Sequence, residues 1–220
     1  MNLKNTENFW VLGLFLGITG LVSALLLALF SDLVAAPIEK AELENKNQAL
    51  RQILPPFDNQ PTEQTVECNG ILFMGAYEKG KLVAVAAEAS ARGYAGPVRG
   101  LVGLDPDGKI RAMLITAQNE TPGLGANVCQ RQFRKTIFNL FDKRPEGLAP
   151  NPVLDQFNGK IAEKGKNWRV KKDGGTIDYV TGATITSRTV TALADQVAQC
   201  YLTDGAAIRA ELEKAGGKEK

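Results

Sequence analysis

The sequence predicts an α+β fold, an antiparallel sheet with packed helices, carried on one N-terminal transmembrane helix. Three observations predict it. From Phe9 to Phe30 the run FWVLGLFLGITGLVSALLLALF holds no charged residue and reaches the length of about 20 residues that a helix needs to cross a bilayer. Four stretches rich in apolar and β-branched residues between 71 and 116 are divided by short turn signals. Near the C-terminus Val190, Leu193, Ala194, Val197 and Tyr201 recur at helical spacing.

Residues 1–8 form a short polar N-terminus, and residues 9–30 the transmembrane helix. The apolar run is longer than the core of a cleaved secretory signal, roughly 7 to 15 residues, although VAAP at 34–37 resembles a cleavage site. Lys4 and the amino terminus precede the span, with Glu7 partly offsetting them, and Asp32 and Glu39 follow it. The positive-inside rule therefore puts the N-terminus in the cytoplasm and the rest on the extracytoplasmic side. Trp10 suits a membrane interface. Residues 31–56 read as a juxtamembrane stalk, helical over PIEKAELENKNQALRQIL with Pro37 at its first position and Pro55-Pro56 ending it.

The folded domain is expected over residues 57–205. Residues 57–70 are polar and Pro-bearing, a linker. Strands are then expected over Ile71 to Tyr77, Leu82 to Ala89, Val98 to Leu104 and Ile110 to Thr116, with turns at Lys79-Gly80 and at DPDGK, residues 105–109. That order is an antiparallel meander. Phe133, Ile137, Phe138, Leu140 and Phe141 predict a helix over 128–142, and NPVLDQFNGKIAEKGKNWRV returns to loop and short strand. The last helix is expected to end near Gly205, leaving residues 206–220 as a charged, exposed tail.

Composition excludes several functions. The net charge of +2 is the remainder of 26 basic and 24 acidic residues, which gives no electrostatic case for a nucleic-acid partner. There is no histidine, so the commonest metal ligand and general base is absent, and with it most hydrolase and zinc chemistry. Cys68, Cys129 and Cys200 form no C-x-x-C pair, which argues against an iron–sulfur cluster, haem attachment or a zinc knuckle. Cys200 falls on the apolar face of the last helix, as a small buried thiol. A Cys68–Cys129 disulfide is not expected, and no metal site is.

DYVTGATITSRTV, residues 178–190, sets five Ser and Thr hydroxyls about a Gly-Ala pair where that helix begins. Ser and Thr there serve first as helix caps. A helix N-terminus is equally a phosphate site, since its free N–H groups and partial positive charge face outward. Gly182 and Ala183 let a bulky group approach, and Thr184 offers a hydroxyl to hold a phosphate covalently. Both readings stand on the residues alone. ETPGLG, residues 120–125, predicts a turn displaying Leu124 between two glycines, suited to lie against a flat apolar ligand or simply to be a surface loop.

DYVTGATITS resembles the flavinylation motif of the FMN-binding domain family, an Asp followed by Ser/Thr-Gly-Ala-Thr. GYAGPVRGLVGLDPDGKI followed by ETPGLG is similar to that family's preceding block, in the same order. The likeness covers roughly residues 55 to 205. Two such motifs together are far more specific than either alone. The resemblance implies that Thr184 carries FMN through a phosphoester installed by a separate flavin transferase using FAD, with Asp178 in the sequence that enzyme reads and Asp178, Thr181, Gly182 and Ala183 among the cofactor-binding residues. It implies that Glu120, Thr121, Gly123, Leu124 and Gly125 lie near the isoalloxazine ring. The single membrane span fits anchored members that relay electrons beside other subunits of an Rnf-type ion-translocating ferredoxin:NAD oxidoreductase, in a bacterial inner membrane with the domain in the periplasm. No side chain is then catalytic by itself. A component of a sodium-translocating NADH:quinone reductase, a free-standing flavoprotein and a cofactor-free tethered interaction module are the alternatives. Position 181 is Thr where many members have Ser, which keeps the hydroxyl; a histidine often stands near the ETPGLG block in the family, whereas here Gln118 and Asn119 precede it, so no proton transfer by such a histidine applies.

Overall fold

A computed structural model of the chain describes residues 9–133 and 147–216. It separates into two units, one ending at Asn45 and one beginning at Lys46. The first consists, in its described residues, of helix α1, Phe9–Ile53, as far as Asn45. This helix is long and apolar enough to cross a membrane, and its charge-free stretch from Phe9 to Phe30 is exposed. Pro37 lies inside α1 and does not begin a new helix.

The second unit is an antiparallel meander of five strands: β1 Thr65–Cys68, β2 Ile71–Glu78, β3 Lys81–Arg92, β4 Pro97–Leu104 and β5 Ile110–Ala117, paired in chain order. Four match expectation to within three residues at each end. The stretch expected as linker contains a fifth, β1. Asn69 and Gly70, at φ 53° and 75°, turn β1 into β2, as Lys79 and Gly80, at 52° and 74°, turn β2 into β3. Two successive left-handed residues are what the tight hairpin turn matching strand twist requires.

Alternation along the strands separates two cores. Phe73, Val85, Ala87, Val98, Val102, Ile110 and Met113 face one side. Met74, Ala76, Ala84, Ala86 and Leu101 face the other, where the end of α1 packs through Ala49, Leu50 and Ile53. Gly103 admits that helix end, because a Cβ there would stand 2.8 Å from the Ile53 carbonyl oxygen. On the first side lies the last helix, α3, Thr184–Gly216, burying Val190, Leu193, Ala194, Val197 and Tyr201 as the spacing predicts.

α3 does not end near Gly205, and residues 206–216 are not an exposed tail. Ile208 and Leu212 continue the apolar stripe and are buried. Each contributes about 1.5–3 kcal/mol on burial, which outweighs the roughly 1 kcal/mol a mid-helix glycine costs. Gly205 also makes room for Tyr201, whose ring would stand 3.2 Å from an added Cβ. The Tyr201 hydroxyl donates to the Pro106 carbonyl at 3.1 Å, fastening the turn before β5 to the helix.

The helix expected over 128–142 is absent where it is described. A short helix α2, Gly125–Cys129, stops at Gln130, whose backbone is extended; residues 134–142 lie outside the described residues. Buried Asn151 takes over there. Its amide donates to the carbonyls of Val128 and Gln130 at 3.1 and 2.9 Å, and its Oδ1 accepts from Val153 and Leu154. Arg131, nearly buried, donates to the Met113 and Ala149 carbonyls and pairs with Asp155 at 2.7 Å.

Candidate functional site

At the start of α3 the N-cap position is Ala183, whose methyl cannot accept a hydrogen bond. The Ser187 hydroxyl instead ties the approaching loop to the helix: it accepts from the Val180 N–H at 3.2 Å and donates to the Ala183 carbonyl at 3.0 Å. The hydroxyl cluster is therefore divided between two tasks. Ser187 is buried and structural, whereas Thr184, the first helical residue, is half-buried at the edge of a hollow. The N–H groups of Thr184, Ile185 and Thr186 belong to the first turn, where no helical carbonyl precedes them as acceptor.

The hollow has a volume of about 530 Å³. It brings together two stretches far apart in sequence: Glu120, Thr121, Leu124 and Gly125 from the ETPGLG turn, and Gly182, Ala183 and Thr184 from the helix start. Leu124 stands 46% exposed, so an apolar side chain is displayed at the rim as the turn predicts. Gly182, at φ 86°, faces it: a Cβ there would meet Leu124 Cδ2 at 3.4 Å. A side chain at 182 would thus fill the cradle between turn and helix.

Three expected residues lie outside the lining. Gly123, at φ 79°, supplies the bend of the turn. Thr181 is exposed just before Gly182. Asp178 is exposed, ion-paired with Lys171 at 2.5 Å, and its backbone exchanges two hydrogen bonds with the Gln156 side chain.

Glu120 joins the two motifs. It is buried, accepting from the Tyr94 and Ala95 N–H groups at 2.8 and 3.2 Å through Oε1, and from the Thr186 hydroxyl at 2.7 Å through Oε2. Gly93 and Gly125 make room for it; a Cβ at Gly125 would stand 2.6 Å from both Glu120 Oε2 and Thr186 Oγ1. Glu120 thus holds the loop before β4, the ETPGLG turn and the first turn of α3 in one arrangement. Behind it, burial pushes the Cys129 thiol up to about 12, with the Glu120 charge adding to the effect, so this cysteine stays protonated and unreactive.

Tyr94 and Lys172 also line the hollow, and the sequence reading assigned neither to it. Tyr94 is 70% exposed between two glycines, an aromatic with little else to pack on. Lys172 lies on a 3₁₀ turn, Lys171–Asp173, tied to α3 by two hydrogen bonds of 2.6 Å from Arg188 to Asp173. That clamp sets a cation beside the positive end of α3.

The donor set suits a phosphate monoester or diester: three free N–H groups, a helix terminus and an ammonium. Leu124 and Tyr94 add apolar surface of the kind that flat aromatic ligands need. FMN unites both requirements in one molecule, so the residues present fit it.

Comparison with known proteins agrees. The FMN-binding domain family matches residues 93–199, which include every residue lining the hollow. The chain is 34% identical over 193 residues to the G subunit of the ion-translocating oxidoreductase complex of Pseudomonas aeruginosa, covering 80% of this chain and 81% of that one. The proteins of the same name from Cereibacter sphaeroides and Haemophilus influenzae are 34% and 32% identical, covering 78% and 83% of their lengths and 82% and 81% of this chain. The crystal structure of Shewanella oneidensis NqrC is similar at a TM-score of 0.44 and 21% identity, over 71% of this chain and 70% of that one.

Proposed function

The chain belongs to the family of G subunits of ion-translocating oxidoreductase complexes, and on that premise we propose that its domain holds FMN as a covalent phosphoester on Thr184. It is a membrane-anchored electron-transfer subunit that works beside the other subunits of such a complex. The observation that carries the attachment reading is the hollow at the start of α3, where Thr184, unpaired first-turn N–H groups and Lys172 meet the ETPGLG turn. Bound FMN supplies the electron-carrying chemistry.

Each side chain then has a task. Thr184 Oγ1 is the ester oxygen. A transferase would join it to the FMN phosphoryl group of FAD, with AMP leaving. The phosphodiester keeps one negative charge, which the helix start and Lys172 stabilise. Gly182 leaves the approach open, while Leu124 and Tyr94 give the ring system an apolar surface. Glu120 acts through Thr186 and the Tyr94 loop as a positioning residue. Exposed Asp178, with Thr181, stands where a transferase can read it.

The span of α1 and the charges about it support a periplasmic domain, where covalent attachment prevents loss of the cofactor by dilution. Added protease is expected to degrade the domain in spheroplasts and not in intact cells; protection in spheroplasts would place it in the cytoplasm. The attachment itself is tested by flavin fluorescence of the full-length protein after denaturing electrophoresis, expected to remain with the protein band. A fluorescent dye front over a dark band would mean that FMN is held without a covalent bond.

A further inference from the structure

On the side of the domain where β1 meets α3, two of the three cysteines lie together. Cys68 closes β1 and is half-buried; Cys200 is buried on α3. Their sulfurs are 3.6 Å apart. Asp204, one helical turn beyond Cys200 and so on the same face, places Oδ2 3.6 Å from Cys68 Sγ. All three potential ligand atoms lie within 4.8 Å of one another.

We propose that Cys68, Cys200 and Asp204 bind a thiophilic divalent cation, of which Zn²⁺ is the reference, with solvent completing the coordination. Two thiolates on one tetrahedral zinc lie about 3.8 Å apart, and a thiolate and a carboxylate oxygen about 3.5 Å, from bond lengths of about 2.3 and 2.0 Å. The Cys68–Cys200 and Cys68–Asp204 separations, 3.6 Å each, lie close to these values, and Cys200 and Asp204 are within 4.8 Å of each other, inside the reach of a side-chain rotation. The surroundings supply what metal ligands need from their neighbours. Asn69 Nδ2 donates to Cys200 Sγ at 3.7 Å and to Asp204 Oδ2 at 3.4 Å, orienting one thiolate and the carboxylate. Its position is set by the tight turn after β1. A hollow of about 480 Å³, lined by Asn69, Cys200, Thr203 and Asp204, gives access from solvent. A disulfide would require the sulfurs to close to about 2.05 Å and has no use for the carboxylate or the amide. The cation would tie the edge hairpin to α3, far along the helix from Thr184.

The test is titration of the reduced, full-length protein in detergent with Zn²⁺ against a chromophoric chelator, and with Co²⁺ as a spectroscopic probe. One ion per chain is expected, with sulfur-to-cobalt charge-transfer absorption. Cys68→Ser and Asp204→Asn are each expected to weaken Zn²⁺ binding tenfold or more, and Cys129→Ala to leave it unchanged, with circular dichroism reporting that each variant folds. Substoichiometric binding to the reduced protein, or binding insensitive to both variants, would overturn the proposal. So would protein isolated from cells with Cys68 and Cys200 joined, two hydrogens lighter, that fails to take up Zn²⁺ once reduced.

Discussion

Thr184→Val is expected to give a folded protein with no covalently bound flavin. Valine keeps the volume and β-branching of threonine while removing the only side-chain oxygen, and position 184 is a half-buried first helical residue, not the N-cap. Stability should therefore change by about 1 kcal/mol or less. Flavin fluorescence of the denatured band should fall to background, and circular dichroism should be unchanged. Thr184→Ser restores a hydroxyl at the same place and should recover part of the signal. Full fluorescence in Thr184→Val would move the ester to another hydroxyl of the segment.

Glu120→Ala should damage both stability and cofactor loading. The substitution removes the acceptor of the Tyr94 and Ala95 N–H groups and of the Thr186 hydroxyl in a buried setting. The buried Thr186 hydroxyl left without a partner costs about 1–3 kcal/mol, and the Tyr94 and Ala95 N–H groups, on exposed residues that water can reach, add less, so the total is roughly 2 kcal/mol or more. At about 2–4 °C per kcal/mol for a domain of this size, Tm should fall by about 4 °C or more. Glu120→Gln still offers one carbonyl oxygen and should lose less. Because Thr186 shares the interaction, Glu120→Ala and Thr186→Val together should cost less than the sum of the two alone. Simple additivity, or a Tm unmoved by Glu120→Ala, would mean that the ETPGLG turn and α3 are held together by something else.

Much of the fold follows from local pattern. Strands β2 to β5 are legible because apolar runs alternate with turn residues at short range, and α3 because its stripe is long. The Cys-Asn-Gly stretch at 68–70 carries the hairpin signal that marks β1, but the polar alternation of Thr65 to Glu67 hides an edge strand. The stripe past Gly205 is equally visible in Ile208 and Leu212 once the glycine is not taken as a stop. The end of α2 is not visible at all, since it depends on Asn151, 21 positions beyond Gln130. The site divides in the same manner. Thr184 and Gly182 stand in one contiguous motif, whereas Lys172 reaches the hollow only through the Arg188–Asp173 clamp, and the Glu120–Thr186 bond spans 66 positions.

Intact mass of the purified full-length protein, followed by fragmentation of the tryptic peptide from Asp173 to Arg188, tests the central claim most directly. The peptide also holds Thr176, Tyr179, Thr181, Thr186 and Ser187, so fragment ions must locate the added group. A mass increase of one FMN less one water, present in the C-terminal fragment that begins at Thr184 and absent from the one that begins at Ile185, is the predicted result. An unmodified peptide, from cells with an active flavin transferase, would contradict it and leave the hollow as a site for a dissociable ligand.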